Sequence, residues 1–108
     1  MAGERLAEAT RERIVLSETL RLRGDLLLLI DDRGGAEASF TDAIAVARRQ
    51  AARLFELRAT TSLARLWRDQ DKCAEARDLL APIYGWFTEG FDTLDLKEAK
   101  SLLDELSA

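Results

Sequence analysis

Gly24-Asp25-Leu26-Leu27, followed by Ala36-Glu37-Ala38-Ser39-Phe40-Thr41-Asp42-Ala43, decides how this chain folds, because the pattern occurs twice. Leu27 lies three residues after Gly24 and Ala36 twelve after it. Phe40 follows Ala36 by four, and Ala43 follows Phe40 by three. From Ala64 the same steps reach Trp67, Ala76, Leu80 and Ile83. The offset is 40 residues, Gly24 to Ala64, and it also relates Arg13-Ile14-Val15 to Arg53-Leu54-Phe55. Steps of three and four keep residues on one face of a helix. Small residues (Gly24, Ala36, Ala64, Ala76) let two antiparallel helix backbones approach, and large ones (Leu27, Phe40, Trp67, Leu80) fill the space beside each contact. The pattern therefore predicts stacked helical hairpins.

Working outward, the pattern predicts helices over about 12–30, 36–50, 53–69 and 73–87. Residues 12–50 form one repeat and 53–87 a second, within a single domain spanning 1–108. Gly34-Gly35 is expected to end the first helix through a left-handed glycine. Asp69-Gln70-Asp71-Lys72 is expected to turn the chain in the second hairpin without a glycine. The residues before Arg11 read as the tail of a preceding helix. Pro82 falls inside the fourth helix, where it removes one backbone hydrogen bond. A last helix, over 93–107, carries Leu96, Ala99, Leu102, Leu103 and Leu106 on one side, with Thr93 or Asp92 as its cap. Lys97, Glu98, Lys100, Asp104 and Glu105 are expected to face water. One apolar and one polar side suit the terminal cap of a repeat stack. The fold class is all-α: a helical-hairpin solenoid of two antiparallel pairs and a capping helix.

Composition agrees. Of 108 residues, 47% are hydrophobic and 33% charged, which favours a folded globule over disorder. The net charge of −4 argues against a nucleic-acid-binding role, which needs a basic face. A single cysteine, Cys73, allows no internal disulfide and fits a reducing, cytoplasmic setting. The longest apolar run, Leu26–Ile30, is too short to span a membrane, and Met1-Ala2-Gly3-Glu4-Arg5 does not open a secretion signal.

Gly24-x2-Leu27 with Ala36-x3-Phe40-x2-Ala43 resembles a tetratricopeptide repeat, although that repeat is usually 34 residues long. The stretches Leu63-Ala64-Arg65-Leu66-Trp67-Arg68-Asp69-Gln70, Ala74-Glu75-Ala76-Arg77 and Tyr84-Gly85-Trp86-Phe87-Thr88-Glu89-Gly90-Phe91-Asp92-Thr93 are similar to the C-terminal repeats of bacterial multidomain adenylate/guanylate cyclase-like proteins and related regulatory ATPases. The resemblance covers about Leu6 to Leu106. It implies a tetratricopeptide-like solenoid that binds protein or peptide, without the catalytic domains of such parents. The chain departs from the pattern at Arg11 and Ala51, where a glycine or other turn residue is expected.

Chemistry for catalysis is sparse. With no histidine in the sequence, no Ser–His triad or histidine metal site can form, and no phosphate-binding loop motif is present. Asp31-Asp32, Asp69 with Asp71, and Asp92 with Asp95 lack the alternating ligands of a calcium loop and read as turn residues. Trp67 reads as core, and Trp86 with Phe87 as packing between the fourth and last helices. The expectation is therefore a protein that is not an enzyme and uses no cofactor or metal.

Two binding surfaces are expected instead. By the resemblance, an inner face carries Glu18, Arg21, Asp25, Leu28 and Leu29 from the first repeat, and Arg58, Thr61, Arg65, Arg68 and Asp69 from the second. Arg65 and Arg68, one turn apart, are suited to holding a carboxylate of a peptide. The N-terminal edge carries Leu6, Ile14, Val15, Leu16 and Leu20 with no preceding pair to cover them, which predicts self-association or docking on an upstream partner. Three functions compete: a protein-interaction module of a bacterial signalling protein, a regulatory domain of a nucleotide cyclase, and, least favoured by charge, a nucleic-acid-binding effector.

Overall fold

The computed structural model of the chain describes residues 2–107, with side chains from Leu16 to Ser107. Among the described residues there are five helices and no strand: α1 Ala2–Leu29, α2 Arg33–Arg49, α3 Arg53–Asp69, α4 Cys73–Trp86 and α5 Leu94–Leu106. Each helix packs on the next. In addition α1 meets α3, and α3 meets α5. The odd helices thus form one layer and α2 and α4 the other. The shortest dimension, 19 Å, is about two helices thick.

The turns repeat as regularly as the helices. Asp31, Ala51 and Asp71 all have positive φ (60°, 54° and 63°). At the first turn the N–H of Asp31 donates to the carbonyl of Leu28 and that of Asp32 to Leu27, at 3.0 and 2.8 Å. Ala51 and Ala52 bond in the same way to Arg48 and Ala47, and Asp71 and Lys72 to Arg68 and Trp67. In each case one left-handed residue closes the last helical carbonyls.

Two expectations are corrected here. The left-handed residue ending α1 is Asp31 and not Gly34 or Gly35, which lie in the first turn of α2. Asp32 caps α2 by accepting the Gly35 N–H at 3.0 Å. A Cβ on Gly35 would come within 2.9 Å of the Asp32 Cγ, so the glycine is needed to admit the cap. Nor does the chain turn at Arg11, since α1 runs unbroken from Ala2. Ala51 does sit where a turn glycine was expected, and it adopts the glycine-like conformation itself. At α5, Thr93 occupies the cap position, but its hydroxyl donates back to the Gly90 carbonyl at 2.8 Å and does not accept from the helix.

Two apolar clusters follow the repeat. One contains Ala36, Phe40, Ala43, Ile44, Ala59, Leu63 and Leu66, with Leu20, Leu27 and Leu28 packed against it. The other contains Leu57, Ala64, Ala76, Leu80, Ile83, Leu96, Ala99, Leu102 and Leu106. Half-buried Trp67 touches both. The closest approach is at Gly24, where a Cβ would lie 2.7 Å from the Phe40 Cδ1. In the second hairpin Ala64 and Leu80 hold the equivalent places, so a slightly larger small residue is matched by a smaller large one.

Candidate partner-binding surfaces

The 40-residue offset continues into α5 and sorts the odd helices into three faces. The face toward the following helix holds Ser17, Leu20, Gly24 and Leu27 in α1, and Leu57, Thr60, Ala64 and Trp67 in α3. These are buried or half-buried. The buried Ser17 hydroxyl donates to the Ala43 carbonyl at 3.0 Å. In α5 the same positions are Lys97, Lys100, Asp104 and Ser107, all exposed. This face therefore ends in polar groups at the C-terminal end of the molecule.

The face toward the preceding helix behaves in the opposite way. In α5 it is Leu96, Ala99, Leu102 and Leu106, buried with α4 residues Ala76, Leu80 and Ile83. In α3 it is Glu56, Ala59, Ser62 and Leu66, also buried. In α1 it is Leu16, Thr19, Leu22 and Leu26, and the three leucines are 46%, 52% and 63% exposed. Leu29 and Ile30 extend this row and are more exposed still. Of the expected edge residues, Leu16 lies here. Leu20 instead packs on the first cluster, because it is on the opposite face of α1. The side chains of Leu6, Ile14 and Val15 lie outside the described residues. Sequence reasoning missed Leu22 and Leu26, and extending the offset to Leu102 and Leu106 would have found them.

The inner face forms between α1, α3 and α5. It brings together most of the residues expected there, but they are engaged with one another. Arg58 donates to Glu18 at 2.6 Å and to Asp95 at 3.1 Å. Glu18 also accepts from Arg21 at 2.7 Å, and Arg21 reaches Asp25 at 3.3 Å. Arg65 donates to Glu98 at 3.2 Å. Arg68 donates to Glu105 at 2.6 Å and to Asp69 at 3.1 Å. The two arginines proposed to hold a peptide carboxylate thus already hold carboxylates of α5. Thr61 is buried and donates to the Leu57 carbonyl of its own helix. Leu28 packs on the first cluster and Leu29 faces water. Asp95, Glu98 and Glu105 were not foreseen on this face. Burial pushes the Glu18 carboxyl up, but hydrogen bonds and charge from Arg21 and Arg58 outweigh it and hold its pKa below the ordinary carboxylate value.

A third surface is a groove among α2, α3 and α4, lined by Arg48, Arg53, Glu56, Pro82 and Trp86 among others. Glu56 is buried at a position that is leucine in α1 and α5. It is neutralised by Arg48 at 3.0 Å and Arg53 at 3.2 Å. The Arg53 guanidinium lies 5.4 Å from the centre of the Trp86 ring, which is more than half exposed. Trp86 therefore covers α3. Its neighbour Phe87 meets the cluster that contains α5, so the expected packing of both aromatics between α4 and α5 holds for Phe87 alone.

Among the described residues no three His, Cys, Asp or Glu side chains gather as a metal site, and no helix is long and apolar enough to cross a membrane. Cys73 is exposed at the start of α4. Compared with protein-family models, curated proteins and solved structures, the chain matches none.

Proposed function

We propose that this chain is a non-catalytic protein-interaction module, a tetratricopeptide-like stack whose working surface is the exposed side of α1. The observation that carries the reading is the row Leu16, Leu22, Leu26 and Leu29 with Ile30, large apolar side chains left in solvent along one helix. Contiguous apolar patches on soluble proteins mark interaction sites. The inner face is the weaker candidate, because its arginines are paired within the molecule and a partner would have to displace those pairs. On the resemblance noted above, the setting is a bacterial signalling or regulatory protein acting in the cytoplasm.

Site-specific photo-crosslinking tests this. A benzoylphenylalanine at position 22 should give discrete protein adducts in the cell. At position 97, on the polar face of α5, it should give none. Leu26→Glu should abolish the adducts from position 22 while shifting stability by no more than about 0.5 kcal/mol. Equal, diffuse labelling at both positions, unchanged by Leu26→Glu, would remove the basis for a binding role.

A further inference from the structure

The nature of the occupant can be read from the molecule itself, given the proposed role of α1 as a docking surface. We infer that the exposed side of α1 receives an amphipathic helix built like α2 and α4, with a carboxylate placed against Arg23. The positions of Leu16, Leu22 and Leu26 recur in α5 as Leu96, Leu102 and Leu106, which lie buried with α4 residues. In α3 the position of Leu26 recurs as Leu66, buried in the cluster that holds Phe40 and Ala43 of α2. Twice in this chain, then, the second helix of a hairpin covers this face. Among the described residues, α1 alone has no such helix. Residues 2–15 continue α1 and do not fold back over it.

Arg23 narrows the occupant further. Its position is Leu63 in α3, buried against α2, and Leu103 in α5, half-buried. In α1 it is an exposed arginine in the middle of the leucine row, and among the described residues no carboxylate pairs with it. A helix covering the row would desolvate this charge, which favours an acidic residue opposite. The same arginine argues against a second copy of the chain. A two-fold pairing of α1 with itself, centred on the row, sets Arg23 against its own symmetry mate. Head-to-tail stacking fails as well, because the other end of the molecule offers Lys97, Lys100 and Asp104 to the leucines.

The test is a tandem chain in which residues 13–52 are duplicated in frame ahead of Arg13, so that Ala52 joins Arg13 as it natively joins Arg53. The duplicated α2 then stands where the occupant should. In the unmodified chain, Leu22→Glu with Leu26→Glu should leave the melting temperature within a few degrees. In the second copy of the tandem the same pair should lower it by roughly 10 °C. Arg23→Leu there should raise it, reproducing Leu63. A labelled peptide of residues 33–52, added to the unmodified chain, is the second measurement. It should bind, and Leu22→Glu should weaken binding at least tenfold. If the tandem does not unfold cooperatively, the peptide decides.

Crosslinking from position 22 combined with a neutral leucine pair in the tandem and no peptide binding would overturn this inference and leave the interaction role standing. A homodimer of the unmodified chain broken by Leu22→Glu would also overturn it, in favour of a second copy. Loss of the position-specific crosslinks would remove the interaction role itself.

Discussion

The two ends of this molecule are built from the same helix in the same register and finished in opposite ways. At the C-terminal end, α5 buries Leu96, Leu102 and Leu106 and turns Lys97, Lys100 and Asp104 to water. At the other end, α1 buries Ser17 and Gly24 and exposes Leu16, Leu22 and Leu26. A stack of helices that each need neighbours on two sides must dispose of an unused face at each end. Here α5 disposes of it by carrying charge, whereas α1 leaves it apolar. The difference teaches that, among the described residues, one register position can be a buried contact in α5 and an open apolar surface in α1.

The contrast is sharpest in matched truncations. Leu102→Ala should cost about 2–5 kcal/mol, since it empties a buried site, while Leu22→Ala at the same register should stay within about 0.5 kcal/mol. Urea unfolding of the two variants measures this. Equal losses would mean that α1 is covered after all, and the comparison would collapse.

A second test asks whether α1 and α3 share the packing of the face toward the following helix. Gly24→Ala adds a Cβ against the Phe40 ring and should destabilise by about 1–3 kcal/mol, although alanine is the better helix former. Combining it with Phe40→Leu recreates the Ala64 and Leu80 pairing and should recover much of the loss, which a double-mutant cycle would read as coupling. Additive losses would show that the two hairpins do not share one packing rule.

Ala51→Gly addresses the turns. Ala51 is in a left-handed conformation that suits glycine, so the substitution should raise stability by up to about 1 kcal/mol, net of the flexibility glycine adds to the unfolded chain. The same change at Asp31 or Asp71 should do less, because aspartate tolerates that region better.

The smallest effect concerns the ion pairs that tie α1 to α3. Because the folded pKa of Glu18 lies below its unfolded value, protonation favours the unfolded chain. Its contribution is full above the ordinary carboxylate range and fades as the pH falls through the lowered folded value. Stability curves of the parent and of Glu18→Gln should therefore differ near neutrality and converge in acid. Curves that stay parallel would show that Glu18 does not tie α1 to α3.

Much of this architecture was legible in the residues. The spacing of Ala64, Trp67, Ala76 and Leu80 located α3 at Arg53–Asp69 and α4 to within a residue, because small-and-large alternation at three and four is a local signature of helix contact. The turn at residue 31 was misread because glycine is the stronger left-handed signal, and Asp31 took that place while Gly35 served the Asp32 cap. The break expected at Arg11 came from a missing turn residue, which is no evidence of a turn. The inner face was legible as positions but not as electrostatics. Arg65 and Arg68 look free along α3, and only the approach of α5 supplies Glu98 and Glu105.

The left-handed residues at 31, 51 and 71 fall twenty residues apart, so α2 and α3, each with its turn, are units of equal length. Adding a single residue inside α2 or α3 would rotate the remainder of that helix by about 100°, exchanging its buried positions for wetted ones. Growth or shortening of such a chain is therefore quantised: it can gain or lose whole forty-residue hairpins, or vary in the stretch between Trp86 and Leu94, where no helix keeps count.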